Sequence, residues 1–286
     1  MQRLTFLLDR TAVLFLGVAA GTAMGYAFGT GNARHAAIAV EPAPVQDAAA
    51  AKLPSPSTPA VPARVAPSAP IKLPVGRPIR VGVFGDSFGD GVWSGLYRLL
   101  PPRDGFQVVK YSQPATGFTR YRRHNLEEAD AQAIGRDPID VAVISFGAND
   151  AQGVCEAGHC GYLMTPYWQQ VIAARVGRYV GMLRRHGARV YWVGLPAMRD
   201  DGFDGDARAM DGFYKRLTAQ LGVPFVDIRP LTVDRQGAYQ AYYIDGGGTQ
   251  KLLRADDGIH MSMNGYIHVV EPLAQAIRNS VVGASR

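Results

Sequence analysis

The sequence contains little cysteine, with only Cys155 and Cys160 among 286 residues. They are the two ends of the segment Cys-Glu-Ala-Gly-His-Cys. A metal site that used both thiolates and His159 would have atypical spacing and no evident fourth ligand. We therefore expect no metal here. A disulfide that closes a small loop would be natural in an oxidising compartment, and free thiols are the alternative.

Long runs of one charge are also missing, although the net charge is +6 and the pI is about 9.4. A basic balance suits anionic surfaces such as lipid headgroups, acidic glycans or nucleic acid. Arginine and lysine residues scattered over solvent-exposed faces explain this excess of positive charge better than a binding surface does. We therefore expect no nucleic-acid partner. No internal repeat is evident, and 47% hydrophobic residues are ample for one sizeable core.

One long apolar run covers residues 11–33 and carries no charged side chain. A bilayer core needs about 20 helical residues, whereas the apolar part of a cleaved signal peptide spans about 7–15. Arg3 and Arg10 precede the run and indicate a cytoplasmic segment 1–10. We favour an uncleaved signal-anchor over a cleaved signal peptide. The protein would then cross the inner membrane once, with its remainder periplasmic or otherwise extracytoplasmic.

Glycine recurs at every fourth position of this run. A glycine-lined helix face lets another helix approach closely, although small residues are common in membrane helices in general. A helix partner is therefore one expectation. The glycines are Gly17, Gly21, Gly25 and Gly29.

Residues 34–75 are dense in alanine and proline. Such a segment cannot bury a core and tends towards polyproline II. It predicts a disordered, semi-rigid linker that holds a folded domain, residues 76–286, away from the membrane.

Continuous apolar segments alternate with helical patterns in this domain. Strands are predicted at 79–84, 107–111, 139–145, 189–195 and 224–228, and helices at 90–100, 167–186, 206–221 and 264–282. The alternation indicates an α/β fold with a parallel sheet covered on both faces. Ligands bind at the carboxyl ends of such strands, and Ser87, Gly117 and Asn149 each follow a predicted strand.

Ser87 lies in Gly85-Asp-Ser-Phe-Gly89, which fits the nucleophile elbow of α/β-hydrolases. The position after the first strand argues against that fold, as does an aspartate only three residues before the histidine. A serine nucleophile needs a base, and Asp257-Gly-Ile-His260 can supply one, with the carboxylate orienting the imidazole. The alternative is a surface loop that caps the helix starting near residue 264.

A tetrahedral intermediate also needs hydrogen-bond donors aimed at its oxygen. The backbone N–H groups of Ser87 and Gly117 and the side chain of Asn149 are the candidates. Gly117 could instead be a turn glycine, and Asn149 could cap a turn. Asp86 and Asp90 are expected to orient the turn and start the helix.

These four blocks, in this order over residues 81–265, resemble the SGNH (GDSL-like) hydrolases, and the surrounding text is similar to a bacterial, membrane-anchored and uncharacterised branch. The resemblance implies a flavodoxin-like three-layer α/β/α fold with a five-stranded parallel sheet and no cofactor. It also implies Ser87 as nucleophile, His260 as base, Asp257 as orienter, and an oxyanion hole of Ser87, Gly117 and Asn149. The block at Gly117 departs from the usual family pattern.

The resemblance predicts a serine esterase or O-acyltransferase that acts on extracytoplasmic carbohydrate, with O-acetyl esters preferred, as in relatives that work alongside a membrane O-acyltransferase. Lipid esters are the alternative substrate, and a non-catalytic, membrane-tethered glycan-binding scaffold is the alternative class. Arg120, Arg122 and Arg123 could bind an anionic group, or form a solvated loop. Tyr239, Tyr242 and Tyr243 could form a lid or sugar-stacking wall, or a packed loop.

Overall fold

The structure is a computed structural model that describes residues 71–72, 74, 76–121 and 125–282. The predicted cytoplasmic segment, the signal-anchor with its glycine-lined face, and nearly all of the predicted linker lie outside these residues. Within the described part of the chain, no helix combines the length and the apolar character that crossing a membrane requires.

A five-stranded, fully parallel sheet forms the centre of the domain and confirms the predicted sheet. Its order is β2-β1-β3-β4-β5, the doubly wound order of flavodoxin-like folds. Val81 on β1 is aligned with Val108 on β2 and with Val141 on β3, and all three side chains are buried. The strands are β1 Ile79–Gly85, β2 Phe106–Lys110, β3 Val141–Ser145, β4 Arg189–Val193 and β5 Phe225–Val226.

Helices flank this sheet, and side-chain caps explain where several of them begin. α1 starts at Ser87, three residues earlier than predicted, because Asp86 accepts a hydrogen bond from the Phe88 N–H at 2.9 Å. Asp200 likewise starts α4 five residues early, through the Phe203 N–H. The helices are α1 Ser87–Leu99, α2 Leu126–Arg136, α3 Pro166–Arg185, α4 Asp201–Gln220 and α5 Met263–Ser280.

Two predictions at the ends of the domain were wrong. Ile71–Lys72, which we placed in the disordered linker, pairs in parallel with Val281–Val282, which we placed in the last helix.

α2 was not predicted, because it buries only three side chains and its apolar stripe is correspondingly weak.

Helices α1 and α5 pack closely because α1 presents glycines to α5. A Cβ on Gly91 would lie 1.9 Å from the Tyr266 ring, and one on Gly95 would lie 2.8 Å from a methyl group of Val270. Neither position therefore has room for a side chain. α1 begins at Ser87, and α5 begins three residues after His260.

The tyrosine-rich segment before Asp257 contains an antiparallel hairpin, Tyr242–Ile244 with Gln250–Leu252. Tyr243 stacks on His268 of α5 with ring centroids 4.1 Å apart, and Tyr239 lies over the Arg254 guanidinium at 4.9 Å. These two tyrosines therefore pack against the domain, whereas Tyr242 is exposed.

Candidate active site

The sharp end of β1 places Ser87 at the carboxyl edge of the sheet. Gly85 ends the strand with φ +156°, and a Cβ there would lie 2.1 Å from the Ser145 carbonyl oxygen of β3. Only glycine fits so close to the neighbouring strand. Ser87 then becomes the first residue of α1, at a helix end whose N–H groups favour negative charge.

Ser87 meets two side chains of a distant loop, those of His260 and Asp257, in a hydrogen-bonded chain at this edge. Ser87 Oγ lies 2.8 Å from His260 Nε2, and His260 Nδ1 lies 2.6 Å from Asp257 Oδ2. Phe88 stacks against the imidazole with ring centroids 5.2 Å apart. This is the geometry that serine-nucleophile chemistry needs, because the hydroxyl touches a base whose far nitrogen is held by a carboxylate.

The Asp257 carboxylate is fixed by its own loop as well as by the histidine. Oδ1 accepts hydrogen bonds from the N–H groups of Ile259 and His260 at 2.8 and 2.9 Å. Burial acts to raise the pKa of Asp257, but the bonds from His260 and these N–H groups outweigh it, and the pKa falls to about 2. Asp257 is therefore ionised at neutral pH and oriented to hold a proton on Nδ1.

Arg254 holds the loop that carries Asp257 and His260 through hydrogen bonds to its carbonyl oxygens. This role was not predicted from the sequence. The Arg254 side chain is 1% exposed and donates to the carbonyl oxygens of Gly258, Ile259, His260 and Ala197. A buried guanidinium with several donors can satisfy carbonyls that turn away from regular structure. No spacing pattern in the sequence marks Arg254 for this role.

The three expected oxyanion donors lie on the loops that follow β1, β2 and β3. Among the residues that the structure describes, no acceptor pairs with the backbone N–H of Ser87 or of Gly117. The Asn149 amide nitrogen donates to Asp86 Oδ2 at 3.3 Å, which fixes the side chain and uses one of its two N–H bonds. Within the described part of the chain, the N–H groups of Ser87 and Gly117 and the second N–H of Asn149 are therefore available, and donors of this kind can stabilise a developing oxyanion.

Asp86 is fully buried and joins the turn that carries Ser87 to Asn149. One carboxylate oxygen caps α1 and the other accepts from Asn149. Burial raises the pKa of Asp86 to about 6, and the nearby Asp150 charge adds to the rise, against the lowering effect of backbone N–H groups. The expected role of Asp86 in orienting the turn thus extends to holding the side chain of Asn149.

Asp150, also missed as a site residue, ties the Gly117 loop to the Asn149 loop. It is fully buried and accepts from the Phe118 N–H at 3.1 Å, the Thr119 N–H at 2.7 Å and the Thr119 hydroxyl at 2.7 Å. Burial raises its pKa. Asp150 directly follows Asn149 in the sequence, but only the folded loops bring it near the N–H groups that follow Gly117.

The predicted disulfide is present and joins Cys155 to Cys160 in the antiparallel hairpin Val154–Glu156 with His159–Gly161. These two sulfurs therefore do not form the alternative metal site. Within the hairpin, Glu156 pairs with buried Arg175 at 2.8 Å, and Arg175 donates to the Phe118 carbonyl oxygen at 2.5 Å. The hairpin thus helps to hold Phe118, the residue after Gly117, through Arg175.

Of the three arginines expected near the site, Arg122 and Arg123 lie outside the described residues. Arg120 donates to the Ala115 carbonyl oxygen at 2.7 Å. Its guanidinium therefore closes the loop around Gly117.

Comparison with known proteins supports this architecture. The family model described as a protein of unknown function, DUF459, matches residues 80–276. The chain belongs to the DUF459 family. No match was found among curated proteins.

Solved structures place the DUF459 domain in a known fold. A protein from Slackia heliotrinireducens, described as a candidate SGNH hydrolase, aligns with a TM-score of 0.50 at 16% identity, covering 70% of this chain and 98% of its own. An acetyl xylan esterase aligns with a TM-score of 0.49 at 18% identity, covering 69% and 99%. The first similarity shows that the DUF459 domain has the SGNH hydrolase fold.

Proposed function

We propose that this protein is a serine esterase that transfers an acyl group, in the first instance acetyl, from a carbohydrate ester to Ser87. The observation that carries the proposal is the chain Ser87–His260–Asp257, with contacts of 2.8 and 2.6 Å. The N–H groups of Ser87 and Gly117, which have no acceptor among the described residues, and the side chain of Asn149 support it, because they follow neighbouring strands at the same edge of the sheet.

The geometry supports a two-step reaction. His260 Nε2 takes the proton as Ser87 Oγ attacks the ester carbonyl, and the resulting oxyanion accepts from Ser87, Gly117 and Asn149. His260 then gives the proton to the departing sugar oxygen as its bond to the acyl carbon breaks, which leaves an acyl-enzyme on Ser87. Water, or a second sugar hydroxyl, gives up a proton to His260 and attacks this ester. His260 passes that proton to Ser87 Oγ as the bond between Ser87 and the acyl carbon breaks.

An open site favours a large carbohydrate substrate. The side chains of His260 and Asp257 are 36% and 45% exposed, so a polymer could reach the serine without a buried tunnel. Hydrolysis and transfer differ in acceptor binding and water exclusion, because both use the same triad.

We place the reaction outside the cytoplasmic membrane, with residues 11–33 as the anchor and 34–75 as the spacer. The Cys155–Cys160 disulfide supports an oxidising compartment. A membrane O-acyltransferase that supplies acylated carbohydrate, and a helix partner for the glycine-lined face, are the proposed partners.

Lipid esters are the second candidate because apolar side chains are exposed near the His260 loop. Tyr242, Ile244 and Leu252 of the hairpin are exposed, as is Met263. The Ser262 hydroxyl donates to the Leu252 carbonyl oxygen at 2.6 Å, which holds the hairpin at the start of α5.

Turnover of p-nitrophenyl acetate by the purified full-length chain tests catalysis, with Ser87→Ala as the matched variant. We expect Ser87→Ala to lose several orders of magnitude in kcat. Equal rates would reject the enzyme and favour the glycan-binding scaffold. Acetate release from acetylated oligosaccharides, compared with p-nitrophenyl palmitate hydrolysis, then separates carbohydrate from lipid esters.

A further inference from the structure

Arg199 lies against the loop that carries Asp257 and His260. It follows β4 at the carboxyl edge of the sheet. Its backbone N–H donates to the Gly258 carbonyl oxygen at 3.0 Å. A Cβ on Gly258 would lie 2.6 Å from both Cβ and Nε of Arg199 and 2.9 Å from Cζ. Gly258, at φ +72°, thus leaves the room that the arginine side chain fills.

The Arg199 guanidinium is exposed and has no carboxylate within ion-pair distance among the described residues. The adjacent Asp200 accepts from the Phe203 N–H at 2.8 Å, and Asp257 is held by His260. Arg229 and Arg208 both pair with Asp204 instead. Arg199 is therefore a positioned cation beside the triad loop whose donors are available to a ligand.

We propose that Arg199 binds a carboxylate on the sugar that carries the ester, so that the preferred substrates are O-acetylated acidic carbohydrates. A guanidinium matches a carboxylate with two parallel N–H···O bonds, which gives both affinity and orientation. The carboxylate that Arg199 binds must lie on the sugar and not on the acyl group, because the acyl group of the proposed function is a neutral acetyl.

Arg120 is less suited to this role. Its guanidinium already donates to the Ala115 carbonyl oxygen at 2.7 Å within its own loop. Arg199 makes no such side-chain bond among the residues that the structure places, so it is the arginine whose removal should change substrate choice.

The inference rests on the proposed esterase and is tested with a matched pair of substrates. The acetylated methyl glycoside of glucuronic acid and its uronamide differ only in the carboxylate. Acetate release by the full-length chain is measured for both, for the wild type, Arg199→Gln and Arg185→Gln. Arg185 is an exposed arginine at the end of α3, towards the opposite edge of the sheet, and it controls for loss of one surface charge.

We expect the wild type and Arg185→Gln to favour the acid over the amide by about tenfold in kcat/KM, a charged hydrogen bond of ordinary strength. Arg199→Gln should lose this preference because its KM for the acid rises. Its turnover of p-nitrophenyl acetate, which has no carboxylate, should stay within about twofold of the wild-type value. Higher salt should reduce the wild-type preference.

An acid-to-amide ratio unchanged by Arg199→Gln, or a wild type that prefers the amide, overturns the inference and leaves the esterase intact. Absence of Ser87-dependent turnover on every ester rejects the proposed function instead. In that case, binding of the acid and the amide to the same variants is measured by calorimetry. Equal binding of the two by the wild type would overturn the carboxylate site on its own.

Discussion

A Cβ on Gly117 would lie 2.5 Å from Oδ1 of Asp150. The backbone at this position approaches a buried carboxylate that also accepts the next two N–H groups, those of Phe118 and Thr119. The direction of the Gly117 N–H therefore depends on the absence of a side chain.

Gly117→Ala should displace this loop and lower kcat by about 10²-fold or more, which is the usual cost of one lost oxyanion donor. KM should change little, because the site of ground-state contact is retained. Gly135→Ala is the matched control, since nothing lies within 4 Å of a Cβ there. Steady-state kinetics on p-nitrophenyl acetate check both, and a fully active Gly117→Ala enzyme would remove Gly117 from the oxyanion hole.

Asp257→Asn should lower kcat by about 10⁴-fold, because an amide no longer selects the imidazole tautomer with its proton on Nδ1. The depressed pKa of Asp257, about 2 in the folded state, also stabilises the fold above the unfolded pKa of about 4. That contribution is lost as pH falls towards 2, and it is small because the carboxylate is well exposed. Melting curves of both proteins should converge at acid pH, and parallel curves would contradict this.

Asp86→Asn should separate stability from activity. Because burial raises the pKa of Asp86 to about 6, the favourable neutral form is fully present below about pH 4 and lost as pH rises through 6. The wild type should therefore lose up to about 3 kcal/mol over this range from Asp86, and the variant should not.

The same variant should have a lower kcat, because its new amide nitrogen would face the Asn149 amide nitrogen, where the carboxylate oxygen now accepts at 3.3 Å. Chemical denaturation between pH 4 and 7, with kinetics at neutral pH, checks both effects. A variant with the wild-type pH slope would show that Asp86 titrates normally.

Arg254→Met should lower both stability and kcat. The methionine fills similar space but leaves the carbonyl oxygens of the Asp257–His260 loop without their buried donor, at about 1–3 kcal/mol for an unsatisfied group. We expect a lower Tm and at least about a tenfold loss of kcat, with partial recovery in Arg254→Lys. An active, destabilised Arg254→Met enzyme would limit Arg254 to a structural role.

Replacing both Cys155 and Cys160 by serine should destabilise the domain by about 2 kcal/mol, the value expected for so short a closed loop. The native chain should take up an alkylating reagent only after reduction, seen as a mass shift. Alkylation without reduction would contradict the disulfide.

The sequence was most informative where a residue type had a single structural use. Short apolar runs located all five strands, and the order of Ser87, Asn149, Asp257 and His260 located the groups that the fold brings together. The supports of the site were hidden, because buried Asp150 and Arg254 act through backbone partners that only the folded loops bring near. The tyrosine-rich hairpin was hidden too, since its strands of three residues are too short for a periodic signal.

The glycine contacts between α1 and α5 have a consequence for how this protein can change. Ser87 and His260 are carried at the starts of two helices, and the gap between those helices is set by Gly91 against Tyr266 and Gly95 against Val270. A larger side chain at Gly91 or Gly95 would push the two helices apart and so separate Ser87 from His260. A relative could therefore keep Ser87, Asp257 and His260 and still lose the contact between them.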